Sequence, residues 1–474
     1  MPAKELTPLR LAQNAVRRGL LACGNVPELS FVGPAAYQLM EKAFVLCASP
    51  LSPVAIYRQN RSDRLVYGDS DLDYYVVYGD VSPADEYRIL SSFFRRYLPV
   101  RTLMPPLYAE PYAVSEMKSP LVSTYGRDQV RKPPANWQLI SGENILIGNV
   151  LDTPQYPLRR QAGFWFHRRL IRDILADPKS DYVRPFVKVA RVICLALDAS
   201  DSALEEHLVE AEKSGFRVED GRKYRLTGFK LVRQMLDRQY KKRLSAAKLR
   251  KAVASKKSGF EMSPELNQAL ESVSDVGVKS AVAYPKPYLE AGESADVLAP
   301  KDAAEDELES ILEVMKASGA QMRLYTENQW VGERTFLADN DPFISLHICR
   351  HGCAALGKDP RSLLLKQKDE WVRRKALETW VSYSSVELKL FPRSHLTSDY
   401  IQNVSFRLLA VESYANKSTP ASCPKEIVES AGKAHLNFPQ HIADLLIERP
   451  YEAKEEVFVR FRERRERIAG LLSH

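Results

Sequence analysis

No stretch of this chain holds eighteen apolar residues without a charge, so nothing in it reads as a membrane-spanning helix. The opening residues, Met1-Pro2-Ala3-Lys4-Glu5, contain no apolar core of the kind a secretory signal needs. Cysteine is sparse: the six residues at 23, 47, 194, 349, 353 and 423 are too scattered for a disulfide framework. Together these absences set the expectation of a cytoplasmic protein with no membrane partner. No internal repeat is visible in the sequence. The net charge is +8, yet residues 231–257 alone carry ten Lys and Arg against one Asp, so the rest of the chain is close to neutral. A length of 474 residues exceeds one ordinary core and predicts roughly two or three domains.

What is present is concentrated in Gly68-Asp69-Ser70-Asp71-Leu72-Asp73, followed by Tyr74-Tyr75-Val76-Val77-Tyr78. The β-branched and aromatic run predicts a strand, and its period of two puts Asp71 and Asp73 on one face. Two carboxylates at that spacing suit hard cations held side by side, which can clamp the attacking and leaving oxygens of a phosphoryl group. A second strand is expected at Ser52–Tyr57. Ser82-Pro83-Ala84-Asp85-Glu86 reads as a helix start, with Ser at the N-cap and Pro at the first helical position. That helix is expected to end before Pro99. Strands broken by Pro105-Pro106 follow over 100–115, then a short helix around Trp137–Ile147.

The expected organisation is α+β: an N-terminal helix at 1–30, a small mixed sheet over 31–150, and mainly helical regions behind it. Helical periodicity marks a helical domain at 151–275, including the basic segment. Residues 276–304, with Tyr-Pro-Lys-Pro-Tyr and Gly-Glu-Ser, read as a linker. The final 305–474 reads as a mainly helical domain with strands near 322–338 and 386–391.

The Gly-Asp-Ser-Asp-Leu-Asp segment, its β run and the capped helix after it resemble the nucleotidyltransferase superfamily, the DNA polymerase β-like enzymes. Antibiotic-modifying and small stand-alone members are the nearest types. Asn136-Trp137-Gln138-Leu139-Ile140-Ser141-Gly142-Glu143-Asn144-Ile145-Leu146 resembles the Trp-x-x-Leu-x-Gly pattern that follows the catalytic sheet in antibiotic-modifying members. The resemblance covers about residues 30–150. It implies that Asp71 and Asp73 bind Mg²⁺ (or Mn²⁺) and that a nucleoside monophosphate passes from an NTP to an acceptor.

Where the family carries a Gly-Ser pair, this chain has Arg58-Gln59-Asn60-Arg61. Side-chain amides of Gln59 and Asn60, bidentate pairing by Arg58 or Arg61, and Ser70 are the expected phosphate contacts instead. The alternative is a catalytically degenerate fold that lost its donor site and serves as a scaffold or binding protein. The family's third carboxylate corresponds to Glu110 or Glu116. Their even spacing leaves strand parity silent, and Glu110 is preferred because Glu116 also fits a helix start after Ser115. Such an acid completes the ion cage and takes a proton from an attacking hydroxyl.

The acceptor beside the NTP is open between a small molecule, an RNA end and a protein hydroxyl; the uncompensated basic segment from Arg233 to Lys257 suits a polyanion and tilts the reading toward RNA as acceptor and partner. Tyr224 and Tyr240 offer base-stacking surfaces. His347, Cys349, His351 and Cys353 alternate in a way no single ion can use from one strand, so a partly buried helix is the expected reading. Arg160 and His167 fit the loose Arg-x4–6-His spacing of helical ribonuclease-like domains.

Overall fold

Ser82 Oγ accepts the Asp85 backbone N–H at 3.2 Å, and Pro83 opens the helix Pro83–Leu103, as the start signal predicts. Pro99 does not end that helix; it sits inside it and the helix runs one further turn. The computed structural model describes residues 8–24, 26–59, 65, 67, 70–103, 107–118, 137–145, 163, 165–175, 183–197, 199–254, 260–286, 292–336, 344–416, 424–433 and 438–472. Among them no helix is long and apolar enough to cross a membrane. The architecture mixes helices with small sheets, in two compact units.

The first unit comprises residues 1–154, 380–408 and 438–474. Its sheet is built from β1 (Pro53–Arg58), β2 (Leu72–Tyr78), β3 (Leu107–Ala113) and β4 (Gln138–Gly142) in the order β3-β2-β1-β4. β1 runs antiparallel to β2 and β4, while β2 and β3 are parallel and joined through the helix Pro83–Leu103. Pro111 is tolerated in β3 because β3 is an edge strand. The expected helix around Trp137 is instead β4. Gly142 closes it at φ +84°, where a Cβ would meet the Val54 carbonyl oxygen at 2.0 Å, so only glycine fits. One sheet face packs on helices: Tyr74 stacks on Phe44 of helix Val32–Ala48 with centroids 4.2 Å apart.

The second unit comprises residues 155–379 and 409–437. Periodicity placed its helices well. They include a π-helix at Trp165–Leu175 and α-helices at Val183–Leu197, Ser202–Lys213 and Gly221–Ala246. The basic tail of the last of these is followed by a two-residue strand, β5 (Arg250–Lys251). The stretch read as a linker holds β6 (Ser280–Pro285) and β7 (Glu293–Leu298). They join β8 (Met322–Tyr325) and β9 (Cys353–Leu356) in a second sheet of order β8-β7-β6-β9. The second expected strand, 386–391, is helical, and residues 327–336 form a helix. β10 (Leu365–Lys366) pairs with β5.

The two four-stranded sheets share strand order and directions. In each, a hairpin is followed by a crossover helix, a third strand parallel to the second, and a fourth returning antiparallel beside the first. The repeat invisible in the sequence is therefore one of topology. The stretch 305–474 is not one domain but divides between the units. The reason in the first unit is electrostatic. Buried Glu86 and Glu116 take their counter-charges from Lys389, Arg462 and Arg465, far along the chain.

Candidate functional site

β2 and β3 place the acids. Asp73 lies opposite Tyr108, and Tyr75 opposite Glu110, so Asp73 and Glu110 project from the same face of neighbouring parallel strands. With strands about 4.8 Å apart and a two-residue step of about 6.6 Å, their Cα atoms are about 8 Å apart. Both side chains are half-buried. Glu110 accepts a hydrogen bond from the Tyr112 hydroxyl at 2.6 Å. Burial pushes its carboxyl above the usual carboxylate range, against the pull of that hydroxyl and of Lys389. Asp71 precedes the strand, is exposed, and lies 3.9 Å from Arg17. The adjacent Ser70 carbonyl is held by the Tyr37 hydroxyl at 2.9 Å.

Behind the two acids the same face carries an aromatic floor. Tyr75 stacks on Trp137 with centroids 4.3 Å apart and planes 9° apart, and Tyr57 lies 5.7 Å from Trp137. Tyr75 and Tyr112 are 6.2 Å apart. The Tyr57 hydroxyl accepts the Ile145 N–H at 2.8 Å, which fixes the segment after β4. The Trp137 indole N–H is buried and makes no hydrogen bond among the described residues. Sequence reasoning missed this floor. Its signal was the alternation of Tyr57, Tyr75 and Tyr112 on paired strands, legible only once the register is known.

The expected phosphate role of Arg58 is overturned, and the alternative third acid, Glu116, is committed elsewhere. Arg58 is buried on the opposite, helix-packed face. It donates to Glu41 Oε2 at 2.6 Å and to Gln138 Oε1 at 2.6 Å, so it is committed to structure rather than to a phosphate. Glu116 is sealed. Lys389, Arg462 and Arg465 all donate to it, as does the Ala113 N–H at 2.9 Å. Burial pushes its carboxyl up, but Arg462, Lys389 and Arg465 outweigh this and hold it well below the usual range. With its oxygens spent on these donors, Glu116 is no candidate for a metal, whereas Glu110 lies on the same face as Asp73. Gln59 stands beside Asp73, its N–H donating to the Asp73 carbonyl at 2.9 Å. Asn60 and Arg61 lie outside the described residues.

Three hard carboxylate oxygens suit Mg²⁺ or Mn²⁺ in kind. The placement of two acids on one face fits as well. Yet among the described residues no three His, Cys, Asp or Glu side chains converge closely enough to hold an ion.

The remaining constellations resolve as structure. His347 sits on helix Ile344–His351, its Nε2 2.7 Å from the Pro285 carbonyl oxygen, and Cys353 begins β9 beyond the helix. His167 is half-buried, 3.3 Å from Glu333, and Arg160 lies outside the described residues. Within the basic segment, Arg233 is wholly buried and lowered to about 10 by that burial. Arg238 pairs with Asp201. Tyr224 and Tyr240 are buried in the core, so neither offers a face to a base. Compared with models of protein families, with curated proteins and with solved structures, the chain shows no match.

Proposed function

We propose that this chain is a metal-dependent nucleotidyltransferase that moves a nucleoside monophosphate from an NTP to a hydroxyl acceptor, on a first sheet of the nucleotidyltransferase type. The observation that carries the reading is Asp73 and Glu110 on one face of adjacent parallel strands, with Asp71 at the strand's entry. Asp73 and Glu110, which share a face, are the acids that would hold Mg²⁺ or Mn²⁺, with Asp71 joining them only if it leaves Arg17; the ion would supply charge neutralisation on the triphosphate and the leaving pyrophosphate. Glu110, its proton affinity raised by burial, accepts the acceptor's proton. The acceptor oxygen forms the new bond to the α-phosphorus, and the bond from that phosphorus to the pyrophosphate breaks. Gln59, whose backbone N–H is bonded to the Asp73 carbonyl, is the residue from the expected phosphate contacts that lies nearest Asp73 in the register.

A second reading, a degenerate scaffold, is favoured by the commitment of Arg58 to Glu41 and Gln138. Melting the protein with each NTP and Mg²⁺ separates the two. A ligand at a hundredfold over its dissociation constant stabilises the native state by about 2.7 kcal/mol. Stabilisation together with transfer of labelled nucleotide supports the transferase; neither, with any NTP, supports the scaffold.

A further inference from the structure

The basic segment folds in a way its sequence did not foretell. Its helix turns Arg233 inward, exposed Arg238 is paired with Asp201, and the other exposed cations among the described residues are Lys241, Lys242, Lys248, Arg250 and Lys251. Among the described residues none of these five makes an ion pair. Arg250 and Lys251 form β5, which pairs with β10 from more than a hundred residues later in the chain. The register sets Lys366 directly opposite Arg250, and Leu365 opposite Lys251.

Like charges directly opposite each other across a ladder are destabilising. Lys366 has Asp369 at 3.6 Å, but both side chains are more than half exposed, and such a pair is worth little. Lys368 adds another exposed cation beside it, and Glu370 an exposed acid. The ribbon is anchored from below: Leu244, Ala252 and Leu365 pack against the core of the second sheet, and the Ala252 N–H donates to the Leu364 carbonyl at 2.7 Å. Arg250 and Lys366 therefore project from the outward side of a fixed two-stranded backbone. Among the described residues no exposed aromatic accompanies these cations, so the surface is suited to backbone charge and not to base stacking.

We propose that this ribbon, with Lys241 and Lys242, binds the phosphate backbone of single-stranded RNA without regard to sequence, and that RNA is the acceptor of the proposed transferase. The inference rests on that reading for the word acceptor; binding itself is independent of it. A ladder that sets two cations face to face without a full counter-charge is relieved when a phosphate bridges them.

The test is fluorescence anisotropy of the full chain with a labelled single-stranded RNA of about twenty nucleotides, longer than the roughly 4–16 that one groove covers. No NTP or metal is added. Binding is expected to weaken linearly in log[salt], by about 0.7 per phosphate neutralised. Arg250→Gln, Lys366→Gln and Lys242→Gln together are expected to flatten that slope by about 2 and to lower affinity about tenfold or more. Lys366→Glu alone should weaken binding while melting no earlier than the wild-type protein, because it removes the like-charge pair. That opposite movement of affinity and stability is what a merely structural ribbon would not produce. Absence of binding at low salt, an unchanged slope in the triple variant, or equal competition by polyglutamate of the same charge overturns the proposal, the last in favour of an acidic protein partner. Binding of single-stranded DNA with equal affinity leaves the backbone site intact but removes RNA as its specific occupant. Asp73→Asn is the control that separates the two readings. If wild type and Asp73→Asn bind RNA equally and neither transfers nucleotide, the ribbon stands and the transferase reading falls.

Discussion

The two sheets share one topology and treat the same position in opposite ways. Counting rungs along the parallel ladder, Asp73 and Asp296 both occupy the second rung, and Glu110 and Tyr325 both occupy the fourth. In the first sheet these positions are half-buried acids. In the second, Asp296 is wholly buried and accepts from Tyr284 at 2.9 Å, Trp330 at 2.8 Å and Arg334 at 2.6 Å, while Arg334 also donates to the Tyr325 hydroxyl. Asp73 is half-exposed at the sheet surface. Asp296 is sealed in by donors from the protein itself on both of its oxygens. The comparison teaches that an acid on the second strand is not in itself a site: what packs over that face decides.

The sharpest break is catalytic. Asp73→Asn or Glu110→Gln is expected to abolish nucleotide transfer while leaving the melting temperature unchanged or slightly higher, since each removes a half-buried charge. Normal turnover in either variant would remove the first sheet from consideration.

Next in size is the seal of the second sheet. Arg334→Met strands Asp296 as a buried, uncompensated charge and is expected to cost about 3–5 kcal/mol in denaturant unfolding. Adding Asp296→Asn should recover much of that loss. A variant that unfolds like the wild type would mean the pair contributes nothing to the second unit.

Glu116→Gln is expected to destabilise the protein by a similar amount at neutral pH, because Lys389, Arg462 and Arg465 lose their shared partner. The sign of its pH dependence follows from the lowered carboxyl. Its stabilisation is full above the ordinary value of 4.5 and is lost as pH falls below it toward the depressed folded value. The gap between wild type and Glu116→Gln should therefore narrow on acidification below that value. A gap that stays constant would show that Glu116 carries no such linkage.

The smallest effect concerns Glu110. In the metal-free protein its carboxyl is expected to titrate above an ordinary glutamate, because burial disfavours its charged form, and Mg²⁺ should bring it back down. A carboxyl signal in the ordinary range in the metal-free protein, followed by NMR, would argue against its burial.

Local signals carried much of the first unit. The aromatic and β-branched run gave β2, and Ser82-Pro83 gave the start of the crossover helix, because strand and cap preferences act over a few residues. Glu110 as a mid-strand residue was legible too. Glu116 as a helix-start residue after Ser115 was legible as well, but its burial under Lys389 and Arg462 was not, since they lie hundreds of residues away. β6 and β7 were missed because each is six residues long and the segment around them is punctuated by Pro285, Pro287 and Gly292. A strand that short is stabilised by its neighbours rather than by its own preferences. Arg58 was assigned to a phosphate for its charge. The register pairs it with Tyr74, on the face turned away from Asp73.

The sequence by itself determined which residues are acids and cations, where the long helices run, and that Asp71 and Asp73 precede a run bound to be a strand. Those are properties of periods of 2 and 3.6 residues, written within a dozen positions. Only the tertiary structure decided which charges are spent. Glu116 and Asp296 are sealed, Arg58 and Arg233 are buried, and Lys366 is set against Arg250. A charge's availability depends on desolvation and on partners brought together by packing, and neither is encoded in its neighbours along the chain.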